Sequence, residues 1–230
     1  MTVRSLSFSE TNLFAGTEGG VFLSRNNGTS WTAVNSGLTN TTVWSLVVSG
    51  TNLFAGTGDG VFRSTNNGTS WTAVSSGLTS TNVRSLAVNA TNLFAGTSGS
   101  GVFLSTNNGA GWTAVNSGLT DPYVYSFAVN GTNLFAGTQN GGVYLSTNNG
   151  TSWTQVNSGL TNTFVRSLAV SGTNLFAGTN GGGVFLSTDN GTNWTQVNSG
   201  LTNTNVYSLA VSGTNLFAGT QGGGVWRHPL

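Results

Sequence analysis

The heptad Thr-Asn-Leu-Phe-Ala-Gly-Thr occurs six times in this 230-residue chain. Successive copies are 40 or 41 residues apart, with starts at Thr11, Thr51, Thr91, Thr132, Thr173 and Thr214. A period of about 40 to 45 residues that holds four short β segments is typical of the blades of a β-propeller. The repeat therefore predicts an all-β fold, a six-bladed β-propeller.

Each repeat contains four short segments that are rich in β-branched and aromatic residues and are bounded by Gly, Asn, Ser and Thr, as strands are. In the third repeat these segments are Val83–Val88, Asn92–Thr97, Val102–Ser105 and Trp112–Val115. One blade cannot bury its own faces, so the stability must come from stacking neighbours. We interpret residues 1–230 as a single domain, whose repeats begin near Val3, Val43, Val83, Val124, Val165 and Val206.

The sixth repeat lacks the segment that would form its fourth strand. After Val225 and Trp226 the chain reads Arg227-His228-Pro229-Leu230, with no further turn motif. We therefore expect the last blade to have three strands in this chain and an open edge, which Arg227 and Pro229 make less prone to pairing.

The turn between the third and fourth strands is the most regular element of the repeat. Its first copy runs from Ser24 to Trp31 and contains Asn27-Gly28, a pair that tolerates positive φ and marks hairpins. An Asn or Asp before that pair can accept hydrogen bonds from backbone N–H groups, as in an Asx-turn. The recurring positions are Ser24, Asn26, Gly28, Trp31; Ser64, Asn66, Gly68, Trp71; Ser105, Asn107, Gly109, Trp112; Ser146, Asn148, Gly150, Trp153; and Ser187, Asp189, Gly191, Trp194.

This turn resembles the Asp-box motif, Ser-x-Asp-x-Gly-x-Thr-Trp, of BNR-repeat β-propellers in the sialidase-like superfamily. The copy from Ser187 to Trp194 matches at Ser, Asp, Gly and Trp, while the other four copies carry Asn for Asp. The resemblance implies a structural turn that lies away from any active site. The repeats also resemble those of secreted bacterial proteins, which implies an extracellular or cell-surface location in a bacterium. No signal-peptide pattern is present at the N-terminus of this chain.

Composition excludes several functions. Charged residues make up only 5 % of the chain, against about 25 % in ordinary globular domains. The net charge of +1 and the lack of a basic run argue against nucleic-acid binding, and no apolar stretch is long enough to span a membrane. With no cysteine and a single histidine, His228, we expect no disulfide, no metal site and no cofactor.

The copies are nearly identical, which indicates recent amplification or engineering. Scattered substitutions and unequal spacers, such as Glu18-Gly19-Gly20 against Ser98-Gly99-Ser100-Gly101, favour a natural, recently duplicated sequence. Both origins stay open.

The second residue of the first strand varies most informatively between repeats. It alternates between arginine and an aromatic residue: Arg4, Trp44, Arg84, Tyr125, Arg166 and Tyr207. The first strand is expected to line the central channel, and guanidinium groups bind carboxylate, phosphate or sulfate, while aromatic rings suit sugar faces. We hypothesise a glycan or small-anion site at the channel mouth. In the alternative, these side chains only fill space and the arginine heads extend into water.

Two non-enzymatic classes of function and one enzymatic class follow. The leading interpretation is a non-catalytic binding or scaffold module whose partner is a glycan, a small anion or a protein. A purely structural repeat of a larger surface protein is one alternative. We expect a monomer, with weak self-association through the low charge and the open edge as the other possibility.

A sialidase-like glycosidase is the enzymatic alternative. The resemblance implies an arginine triad, a Tyr nucleophile with an acidic partner and an acid–base Asp. Glu18, Asp59 and Asp121 lie on the same predicted face but on Gly- or Pro-containing loops. None lies on a strand beside a tyrosine, where packing would tune its pKa, and Arg4 is followed by Ser5-Leu6 rather than by the Ile-Pro of sialidases. We therefore expect no enzyme and no catalytic residue.

Overall fold

The computed structural model describes residues 2–9 and 11–230, leaving out Met1 and Glu10. Over these residues the fold is an all-β six-bladed propeller of 23 strands, with no helix. Five blades have four strands and the last has three, as the sequence predicts. No helix in this described part is long and apolar enough to cross a membrane.

The chain divides into two compact units, each of three blades, with the boundary between Ala114 and Val115. The first unit contains β1 (Val3–Ser9), β2 (Asn12–Thr17), β3 (Gly20–Ser24) and β4 (Thr32–Ala33); β5 (Val43–Ser49), β6 (Asn52–Thr57), β7 (Gly60–Ser64) and β8 (Thr72–Ala73); and β9 (Val83–Asn89), β10 (Asn92–Thr97), β11 (Val102–Ser105) and β12 (Thr113–Ala114).

The second unit contains β13 (Val124–Asn130), β14 (Asn133–Thr138), β15 (Val143–Ser146) and β16 (Thr154–Gln155); β17 (Val165–Ser171), β18 (Asn174–Thr179), β19 (Gly183–Ser187) and β20 (Thr195–Gln196); and β21 (Val206–Ser212), β22 (Asn215–Thr220) and β23 (Gly224–Pro229). The treatment of residues 1–230 as one domain stays a prediction. In every blade the strands are antiparallel and follow one another in chain order.

The fourth strands are shorter than the sequence predicts. In the third blade the expected strand Trp112–Val115 is reduced to Thr113–Ala114. The tryptophan is excluded because its backbone N–H donates to the carbonyl oxygen of Ser76 in the preceding blade, at 2.9 Å. Trp112 therefore links the third blade to the second instead of starting the strand.

Apolar side chains form one cluster between each pair of consecutive blades within a unit. Between the first and second blades, Phe14 and Val21 of one sheet pack against Val43 and Leu46 of the next. Close approach requires a glycine, because a Cβ on Gly16 would lie 2.8 Å from a methyl carbon of Val43. The cores of both units are thus built from sheet-on-sheet contacts, as expected for stacked repeats.

Hydrogen bonds reinforce the same contacts. The indole Nε1 of Trp71 donates to the carbonyl oxygen of Val34 in the preceding blade at 2.7 Å. In the opposite direction, the Oγ of Ser5 accepts the N–H of Leu46 at 3.0 Å. A buried tryptophan usually finds a hydrogen-bond acceptor for its indole N–H. Trp71 therefore contributes both apolar contacts and a hydrogen bond to the packing of the two blades.

Candidate functional site

All six residues of the alternating arginine–aromatic series lie at a β-bulge. In the first blade Val3 pairs with Thr17 and Ser5 with Gly16, so Arg4 is the extra residue with no partner in the ladder. The same shift occurs at Trp44, Arg84, Tyr125, Arg166 and Tyr207. A bulge changes the direction of one side chain and often adjoins a functional site. The repeat thus gives these variable side chains a common backbone geometry.

In the first unit, the structure brings three of the predicted residues together. The guanidinium carbon of Arg4 lies 4.0 Å from the centroid of the Trp44 ring, and that of Arg84 lies 3.9 Å from it. The indole is therefore covered by a cation on each face, a favourable cation–π geometry. Arg4 also forms an exposed ion pair with Glu18.

In the second unit, the remaining three residues join a second cluster around Phe164. The guanidinium carbon of Arg166 lies 4.5 Å from the Phe164 ring centroid and 4.6 Å from that of Tyr207. Tyr125 meets Phe164 edge-on, with ring centroids 5.2 Å apart. The Nε of Arg166 donates to Asn180 Oδ1 at 2.9 Å.

The two clusters share one chemistry. Stacking occupies the flat faces of the guanidinium groups, whose N–H groups point outward in the plane and remain suited to carboxylate, phosphate or sulfate. Both faces of Trp44 are covered by Arg4 and Arg84, so that ring is not a platform for a sugar. The sequence did not assign Phe164 to the site, although it occupies a variable connection between blades.

The three carboxylates on the predicted face serve local structure. Glu18 pairs with Arg4, and Asp59 accepts a hydrogen bond from the Thr39 hydroxyl at 3.0 Å. Asp121 is buried and accepts the backbone N–H groups of Tyr123, Asn140 and Gly141 at 3.0, 2.6 and 2.8 Å. The hydroxyl of Tyr125 donates to Gln139 Oε1, not to a carboxylate.

A depression of about 420 Å³ lies on the fourth blade beside this buried aspartate. Its lining includes Tyr123, Asn140, Tyr144 and Gln155. Tyr144 and Gln155 are not among the residues predicted from the sequence, although the repeats differ from one another at Tyr144. Tyr144 replaces the phenylalanine of the third strand in the first, second, third and fifth repeats, and its hydroxyl is 2.7 Å from that of Thr120.

The turn motif has a geometry consistent with its predicted structural role. In the first copy the Ser24 hydroxyl donates to Asn26 Oδ1 at 3.0 Å and accepts the N–H of Gly28 at 2.8 Å. Asn27 has φ of 53°, in the left-handed region that Asn and Gly tolerate. The four later tryptophans, Trp71, Trp112, Trp153 and Trp194, each donate from Nε1 to a valine carbonyl of the preceding repeat.

The fifth turn carries the aspartate. Hydrogen bonds from the side chain and backbone N–H of Asn193, and from the Ser187 hydroxyl, hold the pKa of Asp189 below its ordinary value. His228 lies in β23, and its ring stacks on that of Trp226 with the ring centroids 5.2 Å apart. Over the described residues no cluster of three or more His, Asp or Glu could hold a metal ion.

The family model of the DUF6242 beta propeller domain matches residues 5–122 and, in an overlapping second match, residues 79–221. The chain belongs to the DUF6242 beta propeller domain family. A search of curated proteins finds no significant match.

Solved structures of similar fold come from proteins of different kinds. The extracellular domain of a B. thetaiotaomicron protein assigned to the one component systems has a TM-score of 0.80 at 18 % identity over 99 % of this chain and 32 % of that one. An ancestral GH74 enzyme has a TM-score of 0.76 at 24 % identity, over 95 % of this chain and 35 % of the enzyme. YCF48 bound to D1 peptide has a TM-score of 0.76 at 17 % identity, over 99 % of this chain and 78 % of YCF48. This chain spans about a third of the first two proteins, and identities this low show the fold alone.

Proposed function

We propose that this chain is a non-catalytic binding module for anionic ligands, with carboxylated or sulfated carbohydrate as the ligand class. The observation that carries the proposal is the Arg4–Trp44–Arg84 stack, in which one indole holds two guanidinium groups at 4.0 and 3.9 Å from its centroid. Holding both cations before the ligand arrives lowers the ordering cost of binding.

The ion pair between Arg4 and Glu18 indicates the chemistry of the ligand. The Glu18 carboxylate contacts a terminal guanidinium nitrogen, Nη2, while the flat face of the guanidinium stays on Trp44. A carboxylate or sulfate of a ligand can make the same contact, and Glu18 then acts as an internal competitor. Both partners are partly exposed, so the pair itself is weak and an exogenous anion can displace it.

The test is a glycan array with carboxylated, sulfated and neutral glycans, followed by calorimetric titration of the binders. Arg84→Ala/Arg166→Ala removes one guanidinium from each cluster and is expected to abolish binding to acidic glycans. Arg25→Ala/Arg63→Ala removes the same charge from arginines outside the two clusters and serves as the matched control. Equal binding by both double variants and the wild type would refute the proposed site.

A second, independent variant sharpens the test. Glu18→Gln removes the internal competitor and leaves Arg4 on Trp44, so affinity for an acidic glycan is expected to rise roughly two- to tenfold, on the order of 1 kcal/mol for one exposed pair. Unchanged affinity would show that Arg4 does not contact the ligand. A silent array for every variant would favour the alternatives of a protein-binding scaffold or a purely structural repeat.

The depression on the fourth blade favours a second ligand class. It presents the exposed ring of Tyr123 beside the polar side chains of Asn140 and Gln155, and an aromatic ring with amide groups suits the faces and hydroxyls of a neutral sugar. Neutral glycans that bind to the arginine variants and are lost in Tyr123→Ala would assign this second subsite.

We also propose that the chain has no catalytic activity, that it lies outside or on the surface of a bacterial cell, and that its turns are of the Asp-box type. The absence of catalysis is supported by the structural hydrogen bonds of Glu18, Asp59 and Asp121. An extracellular or cell-surface location in a bacterium is supported by fold neighbours that are extracellular domains from B. thetaiotaomicron. Identity of the turns with the Asp box of BNR repeats is supported by the Ser–Asp–Gly hydrogen bonds of the fifth turn.

A further inference from the structure

Asparagine is followed by glycine at eight places in this chain: Asn27, Asn67, Asn108, Asn130, Asn140, Asn149, Asn180 and Asn190. Asparagine is thermolabile because its amide can be lost spontaneously, when the backbone nitrogen of the next residue attacks the side-chain amide carbon. Glycine favours this attack because it has no Cβ and its backbone rotates freely. A hydrogen bond that holds the glycine N–H hinders the attack, so the structure distinguishes the eight pairs.

In seven of the pairs the glycine N–H donates a hydrogen bond. The Gly141 N–H donates to the buried Asp121 carboxylate at 2.8 Å, and the Gly181 N–H donates to the carbonyl oxygen of Thr204 at 3.1 Å. The five glycines of the turn motif each donate to the serine hydroxyl four residues earlier, at 2.8 or 2.9 Å: Gly28, Gly68, Gly109, Gly150 and Gly191. In these seven pairs the nitrogen is held away from the asparagine side chain.

The eighth pair, Asn130-Gly131, lies at the hairpin between β13 and β14. Asn130 pairs with Asn133, so Gly131 lies in the turn beyond the ladder, with φ of 59°. The Gly131 N–H makes no hydrogen bond to any other residue that the structure describes. Gly131 is exposed, and a Cβ built on it would meet no atom within 4 Å. The attacking nitrogen is therefore free and its surroundings are open.

The third repeat provides a natural comparison at the same place. There Asn89 pairs with Asn92, and Ala90 takes the place of Gly131 with nearly the same φ, 54°. The Cβ of alanine crowds the approach of the nitrogen and restricts rotation of the backbone. The two hairpins thus share their register and turn conformation, and they differ in the residue that supplies the attacking nitrogen.

We propose that Asn130 is a site of spontaneous deamidation, and that the other seven asparagines of Asn-Gly pairs keep their amides in the folded chain. The Gly131 nitrogen forms a bond to Asn130 Cγ, the bond from Cγ to Nδ2 breaks, and the amide leaves as ammonia with the proton of the Gly131 N–H. The product is a succinimide ring. Water then opens the ring at either carbonyl and gives aspartate or isoaspartate, and no oxidant or reductant takes part.

The reaction changes a contact between the fourth and fifth blades. Asn130 Nδ2 donates to the carbonyl oxygen of Gly172, in the hairpin of the fifth blade, at 3.1 Å. Either product replaces this donor with a carboxylate, which repels the carbonyl oxygen. Isoaspartate also adds a methylene to the main chain directly before the turn. Deamidation therefore removes a hydrogen bond between the two hairpins and adds a negative charge there.

The test is incubation of the folded full chain at mildly alkaline pH, followed by peptide mapping with mass spectrometry, which detects conversion of an amide to an acid at each asparagine. Asn130 is expected to become a mixture of aspartate and isoaspartate, while Asn89 and the other seven keep their amides. In guanidinium chloride the hydrogen bonds are absent, so all eight Asn-Gly pairs are expected to react at similar rates. An intact Asn130 in the folded chain, or a turn-motif asparagine that reacts as fast, would overturn the proposal.

A reciprocal pair of substitutions tests the role of the glycine. Gly131→Ala gives the fourth blade the residue that the third repeat carries at this φ, so Asn130 is expected to lose its deamidation. Ala90→Gly makes the converse change, and Asn89 is expected to gain deamidation. Circular dichroism and the unfolding midpoint check that both variants fold. Persistent deamidation of Asn130 in Gly131→Ala, or an intact Asn89 in Ala90→Gly, would contradict attack by a free glycine nitrogen.

Discussion

At the scale of single residues, the chain offers matched comparisons because the same residue recurs in different surroundings. Trp71 is buried and donates to Val34 of the preceding blade, whereas Trp31 is exposed and donates within its own turn. Trp71→Phe removes the donor and leaves the Val34 carbonyl without this partner. It is expected to lower the free energy of unfolding by about 1–3 kcal/mol.

Trp31→Phe is the control for that prediction, because it makes the same chemical change where no inter-blade contact is lost. Its effect is expected to stay within about 0.5 kcal/mol. Urea titrations of the two variants and the wild type give the comparison. Equal losses would show that the inter-blade hydrogen bond contributes nothing beyond the local turn.

The fifth turn makes a prediction about pH. The Asp189 pKa is lowered in the folded chain, chiefly by Asn193, so the ionised carboxylate contributes stability above the ordinary pKa of Asp and loses it as the pH falls through the lowered value. Asp189→Asn removes this dependence and restores the residue present in the other four turns. The difference in unfolding free energy between wild type and variant is therefore expected to fall on acidification below about pH 4. Parallel pH profiles would contradict the assigned hydrogen bonds.

At the scale of the structural element, the spacing between sheets depends on the glycine of the second strand. A Cβ on Gly56 would lie 2.9 Å from Val83 Cγ1 and 3.2 Å from the Val83 backbone oxygen. Because backbone cannot move aside as a side chain can, Gly56→Ala is expected to cost about 1–3 kcal/mol of stability. Gly219→Ala is the control, since its Cβ meets only Ser208, and calorimetric or urea unfolding should show a smaller loss. A larger loss in Gly219→Ala than in Gly56→Ala would contradict this packing.

The elements also show what the sequence could predict. The period, the strand positions and the Asn-Gly turns depend on local propensity, so all six blades and the missing last strand follow from the sequence. The start of the fourth strand does not, because the Trp112 N–H donates to the carbonyl oxygen of Ser76 in the preceding blade. The bulge at Arg4 likewise depends on the register between two strands, which the residues of one strand do not specify.

For the candidate site, the sequence identified the six residues but not their partners. It predicted arginines near aromatics, and the structure shows each arginine stacked on specific rings, including Phe164. Side-chain direction after a bulge and the conformation of the loop that carries Glu18 decide these contacts, and both are three-dimensional properties. Tyr144 was missed for a different reason: its change from phenylalanine adds only a hydroxyl to an otherwise regular core position.

At the scale of the whole molecule, nearly identical repeats need not be equally stable. In stacked repeats each unit is stabilised by its neighbours, and local opening is easiest where fewest apolar contacts are made. β1 and β5 hold the same place in their sheets, yet the apolar residues of β1 are largely exposed and those of β5 are buried or partly buried. β22 is likewise less buried than β18.

Hydrogen exchange followed by mass spectrometry tests this gradient. Amides of β1 and β22 are expected to exchange faster than those of β5 and β18, because the side chains of β1 and β22 are less buried. Uniform protection of the four strands would contradict the gradient, since nearly identical repeats would then be equally stable despite their different burial.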